Sequence, residues 1–358
     1  MRLLMITRKV DEKDSSPAGF TYNWVKKIGQ RLEKLYVITW QKSEQKSERG
    51  DLPKNIEIIS LFGNKFLKIF ILQFKLLKIL PKVNGVFCHQ NPEYTILSAF
   101  LAKLFRKKII SWYAHGYIGW KLHLVNWLAD KILTSSDKGC RLKNRKKIEV
   151  IGQGIDIDYF NGQSKEDNQQ GCFRILSLGR ISPAKDYKTL INAIEILIKE
   201  RNIKNIEVQI IGGPVLKKEQ KYFDDLKKII KEKNLEKYIE FLGPISHNQI
   251  LSYYQSCDLF INLSQTGSMD KVVLEAMACK RLVLTCNEAF IDFLDDQRFI
   301  FEKKNPQDLA QKIINLINLP IDEKQVIGQQ SRNKVVKNHN LDNLVNKIIQ
   351  INLKLAKL

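Results

Sequence analysis

The sequence predicts an α/β fold built from two domains, each a doubly wound parallel sheet. Three observations carry that expectation. Short apolar runs suited to strands buried on both faces recur along the chain and alternate with helical segments. The alternation stops at a polar stretch over residues 161–171 and then begins again. In the second half the strands close on glycine or a small polar loop, where backbone can approach a ligand closely. The 358 residues suffice for two domains, and 44% hydrophobic with 27% charged content describes a globular chain.

Taken in order, residues 2–7 form a short apolar strand. A polar loop over 8–17 leads to Gly19 and a helix reaching residue 34. Strand, loop and helix joined at a glycine is where α/β folds place a ligand's phosphate or sugar. Strands follow at 36–40 and 56–61. Residues 66–80, FLKIFILQFKLLKIL, are apolar with Lys68, Lys75 and Lys78 at spacings of seven and three. Those lysines share one helical face. Two readings are open: a cationic helix lying on an anionic bilayer, or a core helix with a solvated basic face. Nearby KLFRKK (103–108) adds weight to the first without deciding between them.

Residues 85–90 form a strand that carries His89, and Asn91 with Pro92 opens the next helix. The strand at 108–114 ends at His115, a position that faces the ligand crevice of such sheets. Strands at 131–135 and 148–151 complete the half. In the second half a strand at 174–178 runs into Gly179, Arg180 and Lys185. The glycine permits a sharp turn, and the two cations suit a diphosphate, Arg as a planar fork and Lys as a point charge. A helix at 188–200 follows. Strands at 207–211 and 239–242 close at Gly212-Gly213 and Gly243-Pro244. Residues 306–358 are helical by periodicity.

The stretch over 258–286 organises the rest. A strand at 259–263 runs into the polar loop Ser264-Gln265-Thr266-Gly267-Ser268, then a helix over 270–279 and a strand at 282–286. Ser268 or Asp270 is placed to cap the helix, with the amides of Lys271, Val272 and Val273 pointing out of its first turn. Glu275 stands among Val, Leu, Ala and Met. A bare carboxylate there is costly unless something hydrogen-bonds it, and two ribose hydroxyls would serve. The other reading is an ordinary strand–loop–helix–strand with Glu275 on the wet side.

Charge and cysteine usage bound the partners. Net charge is +21, and it is lopsided: residues 1–160 hold 29 Lys/Arg against 14 Asp/Glu, and residues 161–358 hold 30 against 24. Such a field favours anionic partners. No nucleic-acid-binding module with aromatics for stacking is present. The six cysteines form no CxxC pair and read as free thiols in a reducing, cytoplasmic setting. No secretory signal or membrane-spanning stretch is evident.

The ordered set VIGQGID (150–156), LGRISPAKD (178–186), IIGGP (210–214), FLGPIS (241–246) and LEAMAC (274–279) resembles the family 4 glycosyltransferases, the "group 1" sugar transferases of the GT-B fold. HQNPEY (89–94) and WYAHG (112–116) agree with it. The resemblance implies two Rossmann-like domains facing across a cleft: residues 1–160 for the acceptor, 161–335 for the nucleotide sugar, and 336–358 as a helix returning to the first. It implies that Arg180 and Lys185 hold the diphosphate of a UDP- or GDP-sugar and that Glu275 holds the ribose. His115 would lie beside the transferring sugar. Gly179, Gly212, Gly213, Pro244, Gly267, Ser268, Asp270, Lys271, Val272 and Val273 complete the donor side, and Gly19, His89 and Asn91 the acceptor side.

One departure stands out. The first Glu of the family's E-x(7)-E motif falls at Gly267, with Asp270 or Lys271 as substitutes, and Lys280 stands where glycine usually follows the Cys. The expected reaction is retaining sugar transfer to a glycan or lipid-linked acceptor in envelope polysaccharide or glycolipid synthesis. No DxD-like metal clamp and no cofactor is expected. A sugar-nucleotide epimerase or phosphorylase on the same fold is the alternative, and peripheral attachment to the inner membrane face a separate expectation.

Overall fold

Runs of Ile, Leu and Val are stable in a sheet covered on both faces, and that is how the computed structural model uses them. It describes residues 1–14, 19–42, 51–162, 171–265 and 267–357. Most of the polar linker at 161–171, the end of the first loop and Thr266 lie outside the described residues.

The chain divides near residues 154 and 339 into two compact units. Among the described residues, the first holds seven parallel strands: β1 (Arg2–Thr7), β2 (Lys34–Thr39), β3 (Ile56–Ser60), β4 (Gly85–His89), β5 (Lys108–Trp112), β6 (Lys131–Thr134) and β7 (Ile148–Val150). Their order is β3-β2-β1-β4-β5-β6-β7. Helices α1 (Thr21–Gly29), α2 (Lys65–Ile79), α3 (Pro92–Leu104) and α4 (Trp120–Leu128) cover it. The second unit has five parallel strands: β8 (Phe173–Leu178), β9 (Ile206–Ile211), β10 (Ile239–Gly243), β11 (Leu259–Asn262) and β12 (Leu282–Thr285). Their order is β10-β9-β8-β11-β12. Its helices are α5 (Tyr187–Glu195), α6 (Lys217–Glu232), α7 (Leu251–Ser256), α8 (Lys271–Ala278), α9 (Ile291–Leu294), α10 (Pro306–Ile317) and α11 (Ile321–His339).

The last helix, α12 (Leu341–Ala356), packs in the first unit. Its Leu344, Val345 and Ile348 share a core with Trp24 and Val25 of α1. Lys27 and Arg31 of that region pair with Asp342.

Two elements differ from the sequence reading. α1 stops at Gly29 rather than near residue 34. Asn55 Nδ2 donates to the carbonyls of Gly29 and Leu32, at 2.8 and 2.6 Å, and so holds the turn that feeds β2. The helix read over 188–200 is α5 followed by a wider π turn at Ile196–Glu200.

Strand order reverses direction between β1 and β4 in one sheet and between β8 and β11 in the other. Parallel doubly wound sheets bind ligands at the carboxyl ends of the strands flanking such a reversal.

Candidate functional site

At the carboxyl edge of the second sheet, backbone pairing continues past the strands into glycine loops. Gly179 N–H donates to Ile211 O at 3.0 Å, Gly212 N–H to Gly243 O at 2.9 Å, and Ile181 N–H to Gly213 O at 3.0 Å. Gly212 takes φ +133°, and a Cβ there would stand 2.0 Å from the Gly179 carbonyl oxygen. Only glycine lets these two strand ends approach so closely. A Cβ on Gly213 would stand 3.2 Å from the ring of exposed Pro244.

The two cations are held differently. The Lys185 side chain passes over Gly179, and its Nζ lies 3.2 Å from Asp270 Oδ2. Arg180 is 43% exposed and places Nε 3.4 Å from Oε1 of Glu219, a buried carboxylate. The other oxygen of Glu219 accepts from the amides of Val215 and Leu216 at 2.9 and 3.0 Å, at the start of α6.

A buried polar chain continues from Asp270. Asn262, the last residue of β11, donates to Asp270 Oδ2 at 3.1 Å and accepts from Thr285 Oγ1 at 3.1 Å. Thr285 Oγ1 accepts from Asn287 N–H at 3.1 Å, and Asn287 Nδ2 donates to the Ser268 carbonyl at 2.7 Å. A second tie joins the loops after β8 and β11: Asp186 accepts from Gln265 Nε2 at 3.3 Å. Lys185, Asp270 and the loop at 267–270 thus sit on rigid supports at the strand reversal. Asn262, Thr285 and Asn287 were not singled out in the sequence. The signal was there for two of them, a polar residue ending each of the apolar strands LFIN and LVLT.

Asp270 occupies the N-cap position of α8, but its side chain makes no capping bond. This corrects the expectation that Asp270 caps the helix: its carboxylate turns to Lys185 and Asn262 instead. Lys271, Val272 and Val273 form the first turn, with Val273 buried. Gly267 takes φ +66°, so a glutamate at that position would need a backbone conformation that L side chains rarely adopt. The position at which the resemblance implies a Glu is thus held by a loop shaped for glycine. Lys280 likewise takes φ +60°, and a Cβ on Gly328 of α11 would stand 2.4 Å from its carbonyl oxygen.

Glu275 lies on the buried side of α8, with 3% exposure, so the wet-side reading does not hold. Its carboxylate is satisfied from within the protein. Tyr254 OH donates to Oε2 at 2.9 Å, and His247 Nε2 lies 3.2 Å from Oε1. Burial and the adjacent carboxylate raise the Tyr254 hydroxyl well above its ordinary range, which keeps it a donor. The His247 ring is stacked on Tyr159 and meets Phe160 edge-on. Neither His247 nor Tyr254 carries a local sequence signal. Each oxygen of Glu275 retains a second acceptor site. One turn away, burial pushes the Lys271 ammonium down to about 7, against the pull of Glu275.

The first-unit residues are scattered along its own strand ends. His115 is exposed after β5, its backbone N–H bonded to Gly139 O at 2.8 Å and its Nδ1 accepting from Tyr117 N–H at 3.1 Å. His89 is a core residue with no exposure. Its Nδ1 is 3.1 Å from Thr7 Oγ1, and its ring lies 4.7 Å from that of Trp24, tilted by 32°. Asn91 is exposed and donates to Tyr94 OH at 2.9 Å, while Gly19 is buried ahead of α1. His89 ends β4, and Gly19 and Asn91 belong to the loops after β1 and β4 that flank the first reversal.

The second unit is therefore a Rossmann-like domain whose strand reversal gathers two cations, glycine-lined strand ends and a helix N-terminus. That is the group set of a phosphate-binding site.

Comparison with known proteins narrows this class. Residues 161–334 match the family described as glycosyl transferases group 1. The alpha-monoglucosyldiacylglycerol synthase of Acholeplasma laidlawii is 27% identical over 211 residues, 55% of this chain and 50% of that protein. A Campylobacter jejuni N-acetylgalactosaminyltransferase acting on a diphospho-undecaprenol-linked sugar is 30% identical over 139 residues, 39% of this chain and 34% of that protein. The matches thus span half or less of these relatives. Among solved structures, a Rickettsia africae glycosyltransferase superposes with TM-score 0.77 at 18% identity, covering 99% of this chain and 98% of that one. Anabaena HepE, solved with UDP, superposes with TM-score 0.78 at 16% identity over the whole of both chains. These likenesses show a shared fold of two Rossmann-like domains.

Proposed function

We propose that the protein is a retaining glycosyltransferase that moves a sugar from a nucleoside-diphosphate sugar to a glycan or lipid-linked acceptor. The observation that carries this is the pairing of Lys185 with Asp270 across the β8–β11 reversal, inside the segment that matches the group 1 transferases. A relative named for making alpha-monoglucosyldiacylglycerol and one that acts on an undecaprenol-linked sugar support the class of acceptor. HepE solved with UDP and UDP-glucose supports the class of donor.

In this reading the donor diphosphate lies over Gly179 and Gly212. Lys185 has three donors, one of them engaged by Asp270, and offers the rest to phosphate oxygens. Arg180 approaches from its anchor on Glu219, and the first turn of α8 adds its amides. As the anomeric C–O bond breaks, charge builds on the outer phosphate, and these groups stabilise it as it develops. The acceptor hydroxyl attacks from the same face and its proton passes to the leaving phosphate, so no carboxylate nucleophile is assigned. The cations take the place of a metal. Glu275, already oriented by Tyr254 and His247, uses its remaining acceptor sites for the ribose hydroxyls. His115 lies beside the transferring sugar, Gly19, His89 and Asn91 serve the acceptor side, and the reaction takes place on the cytoplasmic side of the membrane.

The test is nucleoside diphosphate release from a panel of UDP- and GDP-sugars. Losing one charged hydrogen bond of about 1.5–3 kcal/mol should lower kcat/KM by roughly 10- to 150-fold in Lys185→Ala. Equal rates in wild type and variant would remove Lys185 from the site.

A further inference from the structure

Helix α2 has two apolar faces. Leu72, Leu76 and Ile79 are buried against the first sheet. Phe66, Phe70, Phe74 and Leu77, at spacings of four, four and three, form a second ridge that points to solvent. Phe66 is 83% exposed and Phe70 72%. At about 100° per residue this ridge lies opposite the packed face, with the lysines between the two. Lys78 covers the Phe74 ring at 4.2 Å. The lysine face is legible from spacing alone, whereas which aromatics face solvent is decided by the packing of the helix.

The neighbouring helices carry the same pattern. α3 packs on α2, where Gln73 Nε2 donates to Leu97 O at 2.9 Å, and it exposes Phe100 and Leu104. α4 packs on α3 and exposes Trp120 and Trp127, with Lys103 of α3 lying 5.0 Å over the Trp127 ring. Surface aromatics on this scale mark an interaction site.

Charge selects the occupant. Residues 61–127 hold ten Lys/Arg and one acidic residue, Glu93, which is paired with Lys121. Phe, Trp and Leu ridges flanked by lysines are the composition of a surface that seats in the headgroup region of an anionic bilayer. A second copy of the same face would bring like charges together, at a cost in free energy. We propose that the outward faces of α2, α3 and α4 form one docking surface for an anionic membrane. The loop from His115 to α4 carries exposed Tyr117 and Ile118 and leads into exposed Trp120, so the candidate catalytic histidine stands at the border of this surface. That placement favours a lipid-borne acceptor, a point that rests on the glycosyl-transfer reading; the docking surface itself does not.

The experiment is vesicle co-sedimentation of the full chain at moderate salt. Phosphatidylglycerol–phosphatidylcholine vesicles should bind at least roughly tenfold more protein than phosphatidylcholine alone. Two variants change only exposed side chains: Phe66→Ser/Phe70→Ser/Phe74→Ser and Lys65→Glu/Lys78→Glu/Lys103→Glu. Each should lower binding at least roughly tenfold, with the thermal transition and nucleoside diphosphate release unchanged. Equal binding by variant and wild type, or no wild-type binding to anionic vesicles, overturns the proposal. So does a concentration-dependent dimer abolished by the phenylalanine variant. If instead no variant or wild type releases nucleoside diphosphate while vesicle binding follows the pattern above, the transfer reading fails and the docking surface stands.

Discussion

Gly212→Ala tests the geometry on which the phosphate site depends. The new methyl would stand 2.0 Å from the Gly179 carbonyl oxygen and 2.9 Å from its carbon. Ordinary contact is about 3.5 Å, so the two strand ends must part by about 1.5 Å. Both atoms are backbone, and Gly179 N–H is tied to Ile211 O at 3.0 Å, so no side-chain rotation relieves the clash. Overpacking of this kind costs about 1–3 kcal/mol. The backbone at φ +133° adds about 1–3 kcal/mol for a residue with a Cβ. The expected loss is thus about 2–6 kcal/mol, set against a typical total stability of about 5–15 kcal/mol. Gly243→Ala is the control. Gly243 has φ +74° with nothing within 4 Å of a built Cβ, so it carries only the left-handed cost of about 1–2 kcal/mol. Guanidinium unfolding midpoints at unchanged m-value separate the two. Parting Gly179 from Gly212 also displaces Arg180 and Lys185, so nucleoside diphosphate release should fall in Gly212→Ala more than in Gly243→Ala. If Gly212→Ala proves no more destabilising than Gly243→Ala, the close approach of these strand ends is not a feature of the folded protein.

Two further substitutions examine the interior of α8. Tyr254→Phe removes one of the two donors to buried Glu275 and should cost about 1–3 kcal/mol in urea unfolding, with the loss shrinking when Glu275 is replaced as well; a variant as stable as wild type would mean the pair is not formed. Lys271 has a folded-state pKa pushed down to about 7 from 10.5. The unfolded chain therefore binds more protons between those values, and stability should rise with pH across that window. Lys271→Met should flatten the rise, as read by unfolding midpoints at pH 7 and pH 10, and an unchanged slope would place the ammonium in solvent.

Strands were the most legible part of the fold. Each is an apolar run bounded by turn residues, and burial on both faces leaves little choice of secondary structure for Leu3–Ile6 or Leu259–Ile261. Helix ends were less so, because α1 is stopped by Asn55, which lies 26 residues beyond Gly29. In α2 nearly every position other than lysine is apolar. Periodicity therefore could not say which apolar face packs and which faces water, and only the neighbouring sheet decides it. The carboxylates show the same limit. Glu275 was recognisable as a buried acid, but its partners lie 21 and 28 residues away on other elements. A donor to a buried acid need only be close in space, so nothing in the local pattern marks it.

The site itself was legible as separate weak signals and became one object through topology. Gly179, Gly212 and Gly267 each follow a strand and Gly243 ends one, and in a parallel sheet every such position lies on the same edge. That much follows from the alternation of strands and helices alone. Which loops then touch depends on strand order. With β8 beside β11, Lys185 reaches Asp270 across 85 residues of sequence, and Asp186 reaches Gln265 across 79. Had β9 taken the place beside β11, the same glycines would line the same edge, but the ammonium would lose its carboxylate. The charge pair, and with it the position of Lys185 over Gly179, is thus a property of the order β10-β9-β8-β11-β12 rather than of any motif.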